Sequence, residues 1–428
     1  MLYLTKQYNL DEQQFVENVL SSGIEVHVVT MEYAEQTQDY IHFLPMLLAK
    51  KSVLNQYKSE SLIALKVAVP KYWEICMEED CATIWDKDIQ RGQIFYRHKE
   101  SYTVDRVEWW DSQGKVISCD YYLENGWRYK QEIMDESEKS ISVHYYDAQN
   151  TLLMIKNVER SLYTLFKDEI THIYTEDELW QACIELFDLE NEVLVVGDLE
   201  IADYLDRQKV SAVYSSKEPI QIQEVEVYLS RVDRLYIYHY SVFETLTPND
   251  NIHHISPLYP SKMNVNHHRA LIMTHTQEIE KIEEIIEKLP MVEFHIAALT
   301  SMGPRLLDLE RCENVYLHPG ISQAEYESLL GQCSLYLDIN HSIEILNAVE
   351  ESLEKGLLLF AFKETQHRRG FICPEHLSSS QAAADLIDAI KKVVVSEEMY
   401  HLALQKQWKW IRSSTKGDYN RAFRKVEN

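Results

Sequence analysis

Residues 338–356 read DINHSIEILNAVEESLEKG, and the strand-like run LLLF follows from Leu357. A short apolar strand ending in an acid, a polar turn, a helix and a glycine before the next strand is a common frame for a sugar-nucleotide site. Departure of a nucleoside diphosphate from a sugar asks for cations on the phosphates and negative charge beside the cationic sugar. The two carboxylates of such a frame fall eight residues apart. Anchoring on Gly356 places the later one at Glu351 and the earlier one at Ile343. Glu344 comes one residue late, which on a helical turn redirects a side chain by about 100°. Cations are sparse too: Arg305 follows the turn TSMG at 300–303, and Lys363, Arg368 and Arg369 follow LLLFAF. Only 11 of 428 residues are glycine, and neither GxGxxG nor GxxxxGK[ST] occurs. Loops that cradle diphosphates use glycine to bring backbone N–H groups close to the oxygens. The frame of a transferase is present and its chemistry is depleted. Glu351 is then either a ribose contact or a solvated helix carboxylate.

Positioning this stretch requires a parallel sheet. ALIMTH, EFHIAAL, NVYLHP, SLYLDIN and LLLFAF alternate with helical stretches such as TQEIEKIEEIIEKL and QAEYESLLGQC. Continuous apolar strands alternating with helices predict a doubly wound sheet, with ligands beyond the carboxyl ends of its strands. The turns TSMG (300–303), HPG (318–320) and DINHS (338–342) belong at that end. The N-terminus has the same texture. Phe15, Val16, Val19 and Leu20 share a helical face, Gly23 suits the stop, and Val26, Val28 and Val29 begin a strand. From about residue 64 the texture changes to short runs rich in β-branched and aromatic residues, with turns at DSQG (111–114), ENG (124–126) and DAQN (147–150). That is an antiparallel meander, its aromatic side chains forming either one packed face or a contact surface. A capping-box pattern at Thr175 and Glu178 then reopens α/β texture, and a proline-bearing stretch at 248–267 reads as a connection.

The expected fold is α/β and GT-B-like, with two Rossmann-like domains and a β-meander domain inserted in the first. Its segments are 1–63, 64–174, 175–255, 256–395 and a basic, aromatic C-terminal helix at 396–428.

With 42 Lys+Arg against 69 Asp+Glu, the chain carries a formal charge of −27, which repels phosphate backbones and argues against nucleic acid. The segment from Lys406 to Asn428 runs the other way, with seven basic and two acidic residues around Trp408, Trp410 and Phe423. It reads as a helix packed on the body with a solvated basic face, or as a patch for an anionic membrane or acidic partner. Seven scattered cysteines support neither a disulfide framework nor a zinc site, and His253–His254 and His267–His268 lack companion ligands. No metal and no cofactor is expected. No apolar run is long enough to span a membrane, and the start turns polar too early for a signal peptide, so a cytoplasmic protein is expected.

The words FHIAALTSMGPRL, ENVYLHPGI, LLGQCSLYLDINH and ILNAVEESLEKGLLLFAF carry a resemblance, densest over 257–365. The sequence resembles the GtfB family, the stabilising subunits of the O-GlcNAc transferase complex of the accessory Sec system in Gram-positive bacteria. The resemblance implies a chain that is not itself catalytic. It also implies two partners: a catalytic GtfA-type subunit and the serine/threonine-rich acceptor polypeptide glycosylated before export. A peripheral contact at the cytoplasmic face of the membrane is implied as well. On this reading Thr300, Ser301, Arg305, Asp338, Asn340, His341 and Glu351 outline a vestigial donor cleft, with no catalytic residue.

Overall fold

The computed structural model describes residues 1–424 apart from 34–37, 50–60, 168–169, 188–191, 207–208, 217–219, 244, 259–267 and 369. Two units partition the chain: Met1–Ser215 with Ile222–Tyr236 and Ala422–Asn428, and Ser216–Gln221 with Ile237–Arg421.

In the first unit the central strand Leu2–Thr5 is buried along its whole length. It pairs in parallel with His27–Thr30 on one side and Leu194–Val196 on the other. The helix between the first two strands, Leu10–Ser21, starts at a capping box in which Asn9 and Glu12 satisfy each other's backbone N–H. Phe15, Val16 and Val19 form its buried face, and Gly23 takes a φ of +80° just past its end.

Before returning to Leu194–Val196 the chain builds a ten-stranded antiparallel sheet, from Glu74–Met77 to Ile170–Tyr174, with every strand beside its sequence neighbours. The strand expected from residue 64 starts at Glu74 instead. Ala64–Lys66 is a short 3₁₀ turn, and Pro70 breaks the extended run between it and Glu74. Three hairpin turns share one device. Asp111, Asp135 and Asp147 each accept two backbone N–H bonds through Oδ1, and Gly114, Glu138 and Asn150, three residues on, take positive φ. The Asp135 turn is one that glycine and proline signals do not reveal. Many of the aromatic residues point into packing: Tyr33 meets Trp127 edge-on with ring centroids 4.7 Å apart, and Phe43 meets Tyr145 at 5.9 Å. Large apolar side chains left exposed on the sheet are mainly isoleucines: Ile89, Ile117, Ile141, Ile170 and Ile173.

The second unit contains a six-stranded parallel sheet in the order Val315–Pro319, Glu293–Ala298, Arg269–Met273, Leu335–Asp338, Leu358–Phe362, Leu377–Ser378. Phe294, Phe360 and Phe362 are fully buried between its helices. The connection expected at 248–267 holds a short strand, Ile252–His254; its remainder from 259, including Pro260 and His267, lies outside the described residues.

Helix Glu397–Trp410 lies on this unit's core. Tyr400 donates to the carbonyls of Ser334 (2.9 Å) and Gly356 (3.2 Å), and Gln407 bonds the backbone of Leu357 and Leu359. Two basic side chains of the C-terminal segment have carboxylate partners, Lys406 with Glu375 at 2.8 Å and, beyond this helix, Arg421 with Asp418. Phe423, in the first unit, packs edge-on against Phe15 and at a tilt against Tyr236. Among the described residues no helix is long and apolar enough to cross a membrane.

Candidate functional site

In the second unit the chain leaves Arg269–Met273 toward Glu293–Ala298 on one side, and Leu335–Asp338 lies on the other. The gap between the carboxyl ends of those two central strands is the switch point, where a doubly wound sheet opens a crevice for a ligand. Asp338 and Asn340 sit there, both buried, with His341 beside them.

The chain's own backbone closes this crevice. Ile279 forms an antiparallel bridge with Asn340, Glu280 N–H donates to Ile339 O at 2.8 Å, and His341 N–H donates to Glu278 O at 3.1 Å. Asn340 Nδ2 donates to Met273 O at 3.0 Å, which pulls the turn across the neighbouring strand end. His341 Nε2 lies 2.5 Å from Glu280 Oε2. The helix expected from Thr276 therefore begins only at Ile282, after Lys281 in a left-handed conformation. Glu280 thus brings a carboxylate, rather than a cation, to the switch point.

The second helix end is closed as well. Leu346 and Asn347 adopt positive φ, so helix Ala348–Glu354 starts later than its sequence pattern implies and Ile343 and Glu344 precede it. Glu344 Oε1 accepts the N–H of Val349 at 3.1 Å, and its other oxygen receives Arg368 Nε at 2.7 Å. An N–H that could face a phosphate is thus satisfied by a carboxylate from the same chain. Arg368 also donates to Asn347 Oδ1, and Arg305 faces Glu283 at 3.5 Å, so both cations have protein partners. Lys363 is exposed, and Arg369 lies outside the described residues. Ile343 is 68% exposed, and Glu351 lies half-buried on the helix. Glu344→Ala should cost about 2 kcal/mol, the usual worth of a half-buried charged hydrogen-bond pair, read as a lower urea midpoint. A midpoint equal to wild type contradicts this capping role.

Thr300 and Ser301 lie elsewhere. With Thr274, His275, Thr276 and Gln277 they line a polar cavity of about 410 Å³ at the ends of Arg269–Met273 and Glu293–Ala298. Gln277 packs so tightly on Gly303 that a Cβ there would meet its Cδ at 2.2 Å, and its Oε1 accepts Arg305 N–H at 3.2 Å. The seven sequence candidates are therefore divided. Asp338, Asn340 and His341 meet at the filled switch point, Thr300 and Ser301 line the cavity, and Arg305 and Glu351 are engaged apart from them.

His367 is a residue that spacing does not find. Its Nδ1 lies 2.5 Å from Asp338 Oδ1 and its Nε2 lies 2.5 Å from Ser342 O. Two acceptors favour the doubly protonated ring, and the Asp338 hydrogen bond raises its pKa above 6.5 despite opposing burial. A raised folded-state value means that the stabilisation is complete below the unfolded pKa. It is then lost as pH rises through the folded value. The contribution of this pair to urea stability should therefore fall as pH rises above 6.5, and Asp338→Asn should remove that part of the slope. A slope unchanged in Asp338→Asn excludes this pair as its source.

Comparison with known proteins fits this geometry. Residues 73–175 match the GtfB middle domain and residues 270–407 the GftB/GlyA-F C-terminal domain, together more than half of the chain. The chain is 26% identical over 372 residues to the UDP-N-acetylglucosamine–peptide N-acetylglucosaminyltransferase stabilizing protein GtfB of Limosilactobacillus reuteri, covering 83% of this chain and 84% of that one. To the protein of the same description from Streptococcus gordonii it is 24% identical, covering 95% and 94%. The chain belongs to the GtfB family. The GtfA/B complex solved with UDP and GlcNAc contains a chain of the same fold, with TM-score 0.71, 23% identity and 99% of both chains covered. The family's GT-B-like architecture is therefore retained here, around a switch point filled from within.

Proposed function

We propose that this protein is the non-catalytic, stabilising subunit of a protein O-GlcNAc transferase. It binds a GtfA-type catalytic subunit and holds the serine/threonine-rich acceptor polypeptide, so that serine-rich repeat adhesins are glycosylated in the cytoplasm before export by the accessory Sec system. One observation carries the reading: residues 278–280 pair with 339–341 across the place a sugar diphosphate needs. A subunit that cannot seat a donor still accelerates transfer by pre-ordering an extended acceptor, whose ordering cost the active site then avoids. The cleft residues Thr300, Ser301, Arg305, Asp338, Asn340, His341 and Glu351 are, on this reading, remnants of a donor site. The basic C-terminal segment is the candidate for peripheral contact with the cytoplasmic membrane face, with residues 64–174 as the inserted domain.

A second reading, an active retaining transferase, draws on the C-terminal domain, whose family description GtfB shares with GlyA-F. Assay of this chain alone and together with a GtfA-type catalytic subunit separates the two readings. We expect a stable complex and at least about tenfold more GlcNAc transfer to a serine-rich repeat peptide with this chain than without it. Transfer by this chain alone overturns the proposal.

A further inference from the structure

We propose that His239, Glu350 and Glu354 form a binding site for a divalent transition-metal ion within the second unit. Glu350 and Glu354 stand four residues apart on helix Ala348–Glu354, so their side chains rise from one face of it. His239 comes from a segment 111 residues earlier, and its Nδ1 lies 3.1 Å from Glu350 Oε1. One ligand atom from each of the three residues lies within 4.8 Å of the others. An ion with donors at about 2.0–2.2 Å fits inside such a triangle after small rotations of the side chains.

Burial supports the assignment independently of spacing. The His239 side chain is 1% exposed and that of Glu350 is 4% exposed. His239 Nε2 is enclosed and has no hydrogen-bond partner among the described residues. Two carboxylates gathered in one poorly hydrated place repel each other. A divalent ion neutralises both and uses the imidazole as a neutral donor. One nitrogen and two carboxylate ligands suit Zn²⁺ or Mn²⁺, whereas Ca²⁺ asks for six to eight oxygens. Such an ion would tie the segment around residue 239 to the helix that follows the switch point.

The test uses the full chain, stripped by chelator and checked for folding by circular dichroism. ZnCl₂ and MnCl₂ are titrated separately by calorimetry, with thermal unfolding recorded in parallel. One ion per chain is expected, with a rise in Tm at saturating metal. Glu354→Gln, at the more exposed ligand, and His239→Asn should each weaken binding at least about tenfold. Their metal-free circular dichroism should match wild type. The proposal fails if the folded wild-type chain gives neither heat nor a Tm shift. It also fails if both variants bind as wild type does, which would assign binding to other histidines.

Discussion

Ile343→Glu, which restores the missing member of the carboxylate pair, is expected to leave the isolated chain without measurable UDP-GlcNAc turnover. Ile343 is 68% exposed, so the new carboxylate enters water with little cost to the fold, within about 0.5 kcal/mol. Inactivity could then not be blamed on unfolding. One electrostatic group typically contributes about 10²–10³ in rate, and only where the rest of the site is already organised. Here the rest is committed elsewhere. Glu280 and His341 occupy the switch point, Glu344 holds Val349 N–H, and Arg368 and Arg305 are paired with carboxylates. Release of UDP by Ile343→Glu at a rate clearly above the blank would show that the missing carboxylate was the single defect.

Gln407→Ala should cost about 3 kcal/mol and release the C-terminal helix. Gln407 is fully buried; its Oε1 accepts Leu359 N–H and its Nε2 donates to Leu357 O, both at 2.8 Å. Truncation strands two backbone groups inside a dry core, at about 1–3 kcal/mol each before relaxation. Lys406→Ala, one position away and exposed, should cost less than about 1 kcal/mol because its pairing with Glu375 is solvated. Hydrogen exchange across 397–410 measures both. Equal protection in the two variants would mean that apolar contacts, rather than this amide, dock the helix.

The same residues show where sequence reading reaches its limit. The strands of the second unit and the hairpin at Asn125–Gly126 were legible, because apolar periodicity and turn residues act locally, although only Gly126 of that pair takes a positive φ. The helix expected from Thr276 was not, because its first turn gives up helical bonds for pairing with residues some sixty positions away. Helix propensity is worth tenths of a kcal/mol per residue, and a tertiary backbone bridge outweighs it. Trp408 is partly buried against the core while Trp410 stays 45% exposed, and composition alone could not separate the two.

Residue identity by itself determined the alternation of layers, the inserted meander, the family resemblance and the aliphatic group at position 343. Each is written in local pattern or in a single side chain. The tertiary structure alone decided that the switch point is filled, that Glu344 caps a helix, and that His239 meets Glu350 and Glu354. The first and last join groups some 60 and 111 residues apart, and Glu344 is held at its helix end by Arg368, 24 residues on, so none can be read from local pattern.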